Sequence, residues 1–200
     1  MTRILKLFIA AIVFSVSASA QGSASLTIDK SKQSAQSITL PDNSDLVKDF
    51  LEDLIKNSGG KAKRSDGYLY GQGIKSAELE GTKKVNAYFD IGKTKNDGRE
   101  ISVVTLVVKD DNEKFASDTL NADLYRSAGK WLNSFQMKME VYKRDREIAS
   151  LTAQLKDVNK ELSALRKRVR NNKDDNIAAI KDNEKKLDDL TRRLEELQKN

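Results

Sequence analysis

The stretch VRNNKDDNIA, Val169 to Ala178, decides how the C-terminal part of this chain is built. It interrupts residues 141–200, which otherwise read as one amphipathic helix, and no apolar residue occurs from Arg170 to Asn176. Upstream, Met137, Val141, Ile148, Leu151, Leu155, Val158, Leu162, Leu165 and Val169 form a seam; from Ile148 on its steps alternate between three and four residues. Downstream, Ile180, Leu187, Leu190, Leu194 and Leu197 repeat that spacing. Such a heptad seam is the pattern of a coiled coil, because one straight helix in water cannot cover it. Eleven residues separate Val169 from Ile180. Eleven is three turns of a nearly straight helix, so a stutter keeps both seams on one face.

The stretch contains neither Gly nor Pro, and Lys, Asp and Asn each cost only tenths of a kcal/mol inside a helix. This favours a through-running helix of about 120 Å from Asp118 to the C-terminus. The alternative is a hairpin at 170–176, in which Asn171-Asn172 turns left-handed and Asp174 or Asp175 caps a second helix. On the exposed faces Asp182/Lys186, Asp188/Arg192, Asp189/Arg193 and Glu195/Lys199 place acid four residues before base, the favourable order.

Working outward, the preceding segment reads as a small α+β domain over residues 38–140, in the order α-β-β-β-α with an antiparallel sheet. Asp42, Asn43 and Ser44 offer N-caps after Pro41, and Leu46, Val47, Phe50, Leu51, Leu54 and Ile55 recur at helical spacing before Gly59-Gly60. Lys61 to Gly71 reads as an extended piece. Val85, Ala87, Phe89 and Ile91 alternate with polar residues, and the turn signal Asn96-Asp97-Gly98 joins them to the apolar run Ile101 to Val108. That is a β-hairpin whose second strand, apolar on both faces, belongs in the middle of a sheet. Ser117 and Asp118 can cap the final helix, whose face is marked by Leu120, Leu124, Ala128, Trp131, Leu132, Phe135 and Met139. Residues 21–37, rich in Ser, Ala, Gln and Lys, read for the most part as a flexible leader; within them Ser25 to Ile28 alone resembles a strand, which would add an N-terminal strand to the sheet.

The first twenty residues carry Arg3 and Lys6, the apolar run Leu7 to Val16, and Ala18-Ser19-Ala20. This is the layout of a secretory signal cleaved between Ala20 and Gln21, too short in its apolar part to span a bilayer. The expected location is therefore periplasmic or secreted. Without Arg3 and Lys6, 34 of the 36 basic residues face 30 acidic ones. The excess is uneven: residues 21–140 carry 18 of each sign and residues 141–200 carry 16 basic and 12 acidic. An exported, charge-mixed chain of this kind speaks against nucleic acid as a partner. The likeness of layout, an A-x-A signal, a small helix-and-strand domain and a charged C-terminal coiled coil, resembles a class of exported proteins of Bacteroidota-type bacteria. That resemblance implies the layout alone and carries over no functional residue.

Histidine and cysteine are absent from the sequence, which removes Ser-His-Asp and Cys-His nucleophiles and zinc or haem ligation by either residue. No cofactor is expected. S-x-x-K occurs as Ser58/Lys61 and Ser127/Lys130 without companion motifs. A hydrolase built on carboxylates is the remote alternative. The turn Asp110 to Glu113 clusters acids but lacks the spacing of a calcium loop. GYLYGQG, Gly67 to Gly73, reads as an irregular, bulged strand.

The basic band Arg166, Lys167, Arg168, Arg170 and Lys173 is a candidate anion contact, since no acid lies between Glu161 and Asp174. The leading expectation is a non-enzymatic exported interaction or scaffold protein that forms a homo-oligomer, or binds an envelope protein, through its coiled coil. The rival is a holdase-type periplasmic chaperone with basic helical arms; contact with a membrane surface fits either.

Overall fold

A computed structural model describes residues 22–65, 67–79, 84–169 and 176–199. The predicted signal, Arg170 and Lys173 lie outside the described residues. The fold is mixed α+β: a six-stranded antiparallel sheet and four helices. In chain order the elements are β1 (Gly22–Ile28), β2 (Ser31–Leu40), α1 (Ser44–Asn57), β3 (Lys61–Ser65), β4 (Tyr68–Ile74), β5 (Val85–Asn96), β6 (Arg99–Lys109), α2 (Ala122–Asn133), α3 (Phe135–Val169) and α4 (Ile177–Lys199). The sheet order is β1-β2-β6-β5-β4-β3.

The expected β5–β6 hairpin forms in full register, from Asn86 opposite Lys109 to Asn96 opposite Arg99. Its two-residue turn has both central residues left-handed, Asp97 at φ 49° and Gly98 at φ 77°, the geometry that matches strand twist. The pair sits in the middle of the sheet, as the doubly apolar β6 requires.

Three strands more than the α-β-β-β-α order holds come from the segments at the two edges of the sheet. The segment read as a flexible leader is the β1–β2 hairpin, turning at Asp29 and Lys30 with φ 50° and 63°. Its alternation is carried in its first half by small residues: Gly22, Ala24, Leu26 and Ile28 share the covered face while Ser23, Ser25 and Thr27 are exposed. Composition masked that period. The piece Lys61 to Gly71 is likewise a hairpin, β3–β4, and β4 shifts register against β5 between Gly71 and Ile74. Gly73 takes φ 71° at this bulge, and a Cβ on Gly71 would lie 2.6 Å from Ile74 Cδ1.

The final helix starts later than expected. Ser117 Oγ accepts from the Leu120 and Thr119 amides, which makes a turn rather than a cap, and Asn121 is left-handed at φ 56° before Ala122. Leu120 is therefore outside the helix and 52% exposed. At Ser134 the helix breaks into α2 and α3, with Ser134 Oγ 2.7 Å from the Trp131 carbonyl.

One face of the sheet packs against α1, α2 and the start of α3. Asn43 caps α1, its side chain accepting from the Leu46 amide at 2.9 Å. The centre of the core is aromatic: Trp131 and Phe135 meet edge to face at 4.9 Å, and Phe89 and Phe50 pack against this pair. The opposite face carries a smaller cluster of Ile28, Ala35 and Val107 beneath Tyr88 and Phe115. The sheet curls enough that Tyr68 Oη, on β4, donates to the Thr27 carbonyl on β1 at 2.6 Å.

Candidate functional site

The long helices α3 and α4 do not form one rod. Arg166 pairs with Glu184 at 2.8 Å and Arg193 with Glu147 at 3.5 Å. In a straight helix the first pair, eighteen residues apart, would be separated by about 27 Å. Rising numbers on α3 meet falling numbers on α4, so α4 folds back antiparallel along α3. The favoured through-running reading is corrected to the hairpin. Mutual cover of the two seams rewards the fold-back, while a single helix leaves both in water.

From Ile148 on, each expected seam residue lies on the covered side of this arm. Leu151, Leu162, Leu165 and Leu190 are buried; Ile148, Leu155, Val158, Val169, Ile180, Leu187, Leu194 and Leu197 are half-buried. Met137 and Val141, read as part of the seam, are not: they are 68% and 42% exposed on the body. Asn183 replaces an apolar residue in the seam. It is 4% exposed, its Nδ2 donates to the Ala179 carbonyl at 3.1 Å, and its Oδ1 has no partner.

The four intrahelical pairs read from spacing do not form. Arg192 instead bridges Asp189 and Glu196, and Arg193 reaches across to Glu147.

The arm leaves the body after a clamped root. Phe135 and Met139 are buried in the core. Lys138 Nζ lies 2.8 Å from Glu78, Lys143 Nζ 3.1 Å from Asp42 and 2.6 Å from Glu140, and Arg146 Nη1 3.2 Å from Asp49. Burial alone would lower the Lys143 pKa; hydrogen bonds to Glu140 and Asp42 outweigh it and raise it. Beyond Arg146, residues 147–169 extend about 35 Å. At the far end Arg166, Lys167 and Arg168 occupy the exposed last turn of α3. The local signals made these residues legible, but the clamps join residues 60 to 101 positions apart and have no signature in the sequence.

A groove between α1 and the root of α3 is floored by Phe50, Leu54, Met137, Val141 and Tyr142 and edged by Asp53 and Asp145. On the other face of the sheet, Tyr70 and Tyr88 lie 4.7 Å apart, and Lys109 Nζ sits over Phe115 at 4.4 Å. Asn86 donates to Glu113 at 2.6 Å and accepts from the Gly73 amide at 2.9 Å. Asp110 Oδ1 accepts from the Asn112 and Lys114 amides, so the acidic turn is engaged in its own backbone. Among the described residues no three acids are grouped to hold a metal ion, and no helix is long and apolar enough to cross a membrane. Neither a family model nor a curated protein matches the chain.

Proposed function

We propose that this is an exported, non-enzymatic interaction protein whose body displays a two-helix arm, with a basic tip, to an anionic partner in the cell envelope. One observation carries the reading. Among the described residues the ion pairs between body and arm lie at its root, and beyond Arg146 the arm extends about 35 Å, presenting Arg166, Lys167 and Arg168 on an exposed turn. A helical projection without catalytic groups costs chain length and folding entropy, and its use is reach. The antiparallel packing of α3 and α4 constitutes an intrachain coiled coil in this reading, so the arm needs no second chain to cover its seam.

The test is a photocrosslinker placed at Arg168 and, as a control, at Lys95 on the β5–β6 hairpin tip. Arg168 should capture an envelope component that Lys95 does not, with capture falling as salt rises. Equal capture at both positions would sink the reading.

The holdase reading is favoured by a separate feature, the apolar groove with exposed Met137 and Val141 at the arm's root. It requires that equimolar protein suppress aggregation of an unfolding acidic client. It also requires that Met137→Ser together with Val141→Ser weaken that suppression.

A further inference from the structure

We propose that the outer edge of β1 pairs antiparallel with β1 of a second copy of this chain, about a two-fold axis at Ala24. The surface lies on the body and does not depend on the arm.

The argument starts from the two edges of the sheet, β1 and β3. An unpaired edge offers a row of N–H and C=O groups to any extended chain, and charge on the edge strand is the usual protection. β3, KAKRS, carries Lys61, Lys63 and Arg64 in five residues. β1, GSASLTI, carries no charged residue and no proline in seven. One edge is guarded and the other is open.

Register fixes which groups are free. The turn at Asp29-Lys30 has two residues, both left-handed, so Ile28 and Ser31 form a hydrogen-bonded pair, and by alternation so do Leu26/Gln33, Ala24/Ala35 and Gly22/Ser37. Ser23, Ser25 and Thr27 therefore turn their N–H and C=O groups away from β2. Tyr68 Oη confirms this direction by taking the Thr27 carbonyl from outside. It also closes the turn end of the edge and leaves Ser23 and Ser25 as the accessible pair. Among the described residues β1 has no strand neighbour but β2.

A two-fold axis at Ala24 sets each Ser23 opposite Ser25 of the second copy, and the two exchange both hydrogen bonds. Small uncharged side chains face one another across the junction, so self-pairing meets no repulsion. A contact of this length is well below the ~1,600 Å² of a standard interface, so the association is weak and is read at high protein concentration.

The experiment uses the full chain, with sedimentation velocity across a concentration series and amide hydrogen exchange at Ser23 and Ser25. The dimer fraction should rise with concentration, and exchange at those two amides should slow about tenfold as the dimer becomes dominant. The Ala24 amide, bonded to Ala35, should stay protected throughout.

Ser25→Pro removes an outward donor and no bond to β2. Losing two hydrogen bonds across the axis should weaken the dimer about thirtyfold. Ser25→Lys, which leaves the backbone intact and sets like charges on adjoining strands, should weaken it as well. A chain that stays monomeric, or a dimer with unchanged exchange at Ser23 and Ser25, overturns the proposal. So does a dimer of equal strength in both variants, which would assign association elsewhere. Capture at Arg168 is read separately, so failure of the arm reading and failure of this one are distinguishable.

Discussion

Asn183 is the residue whose environment most conflicts with its chemistry: its side chain is buried in the arm with Oδ1 unpaired. An unmatched buried acceptor costs about 1–3 kcal/mol, and replacing it by an apolar group of similar size removes that cost. Asn183→Leu should therefore raise the arm's melting temperature, followed by circular dichroism; a lower melting temperature would show that Asn183 has a partner it needs. At Gly98, φ 77° is a conformation that costs an alanine about 1–2 kcal/mol. Gly98→Ala should destabilise the body by that amount in urea titration. Tyr70, Tyr125 and Tyr142 form a third case. Burial is the largest cause raising each pKa, reinforced at Tyr70 by Tyr88 and Glu113, at Tyr125 by Asp118, and at Tyr142 opposed by Arg146. The folded chain thus holds these protons more tightly than the unfolded chain, whose tyrosines titrate near ~10. Their contribution is complete below that value and is lost as pH rises through it and beyond. Ultraviolet titration of the folded chain should show tyrosinate appearing late relative to the urea-unfolded chain, and coincident curves would contradict it.

At the scale of elements, α3 and α4 are held together by an apolar seam and by two cross-helix ion pairs, Arg166–Glu184 and Glu147–Arg193. All four side chains are about half exposed, so each pair contributes about 0.2–1 kcal/mol at most. The value of these pairs is diagnostic. In a double-mutant cycle, Arg166→Glu and Glu184→Arg should each lower the arm's stability, and the double exchange should recover part of the loss. Zero coupling would mean that Arg166 and Glu184 do not pair in solution. The hairpin β1–β2 teaches the complementary lesson about strands. Its covered face is made of Gly22, Ala24, Leu26 and Ile28, of which the first two are too small to stand out against a Ser-rich background, yet the period of two is what places all four on one face.

For the whole molecule, the core of Trp131, Phe135, Phe89 and Phe50 belongs to the body, while the arm beyond Arg146 is stabilised by its own seam. Elements that share few buried contacts unfold as separate units. Heating should give two transitions, the helical signal falling first and the environment of Trp131, the chain's one tryptophan, changing second. Leu162→Ala, in the arm's interior, should cost about 2 kcal/mol. It should move the first transition alone. A single transition by both probes would mean that the clamps from Asp42, Asp49 and Glu78 to the root of α3 couple arm and body into one unit.

The sequence by itself determined every element whose signal is local. Helical spacing marked α1, strict alternation and Asn96-Asp97-Gly98 marked the β5–β6 hairpin, and heptad spacing marked the seam residues of the arm, each within a window shorter than its own element. What it left open were choices between partners. The same seam satisfies a straight helix paired with another chain and a hairpin paired with itself, because periodicity specifies which face is apolar and not what covers it. Met137 and Val141 continue the spacing but line an open groove beside α1 instead of the seam of the arm, so they stay exposed. The two edge hairpins became visible only once the sheet existed to receive them. A strand of Ser and Ala has little preference of its own, and it is pairing with a neighbour, here β2 against β6 and β4 against β5, that gives it a conformation.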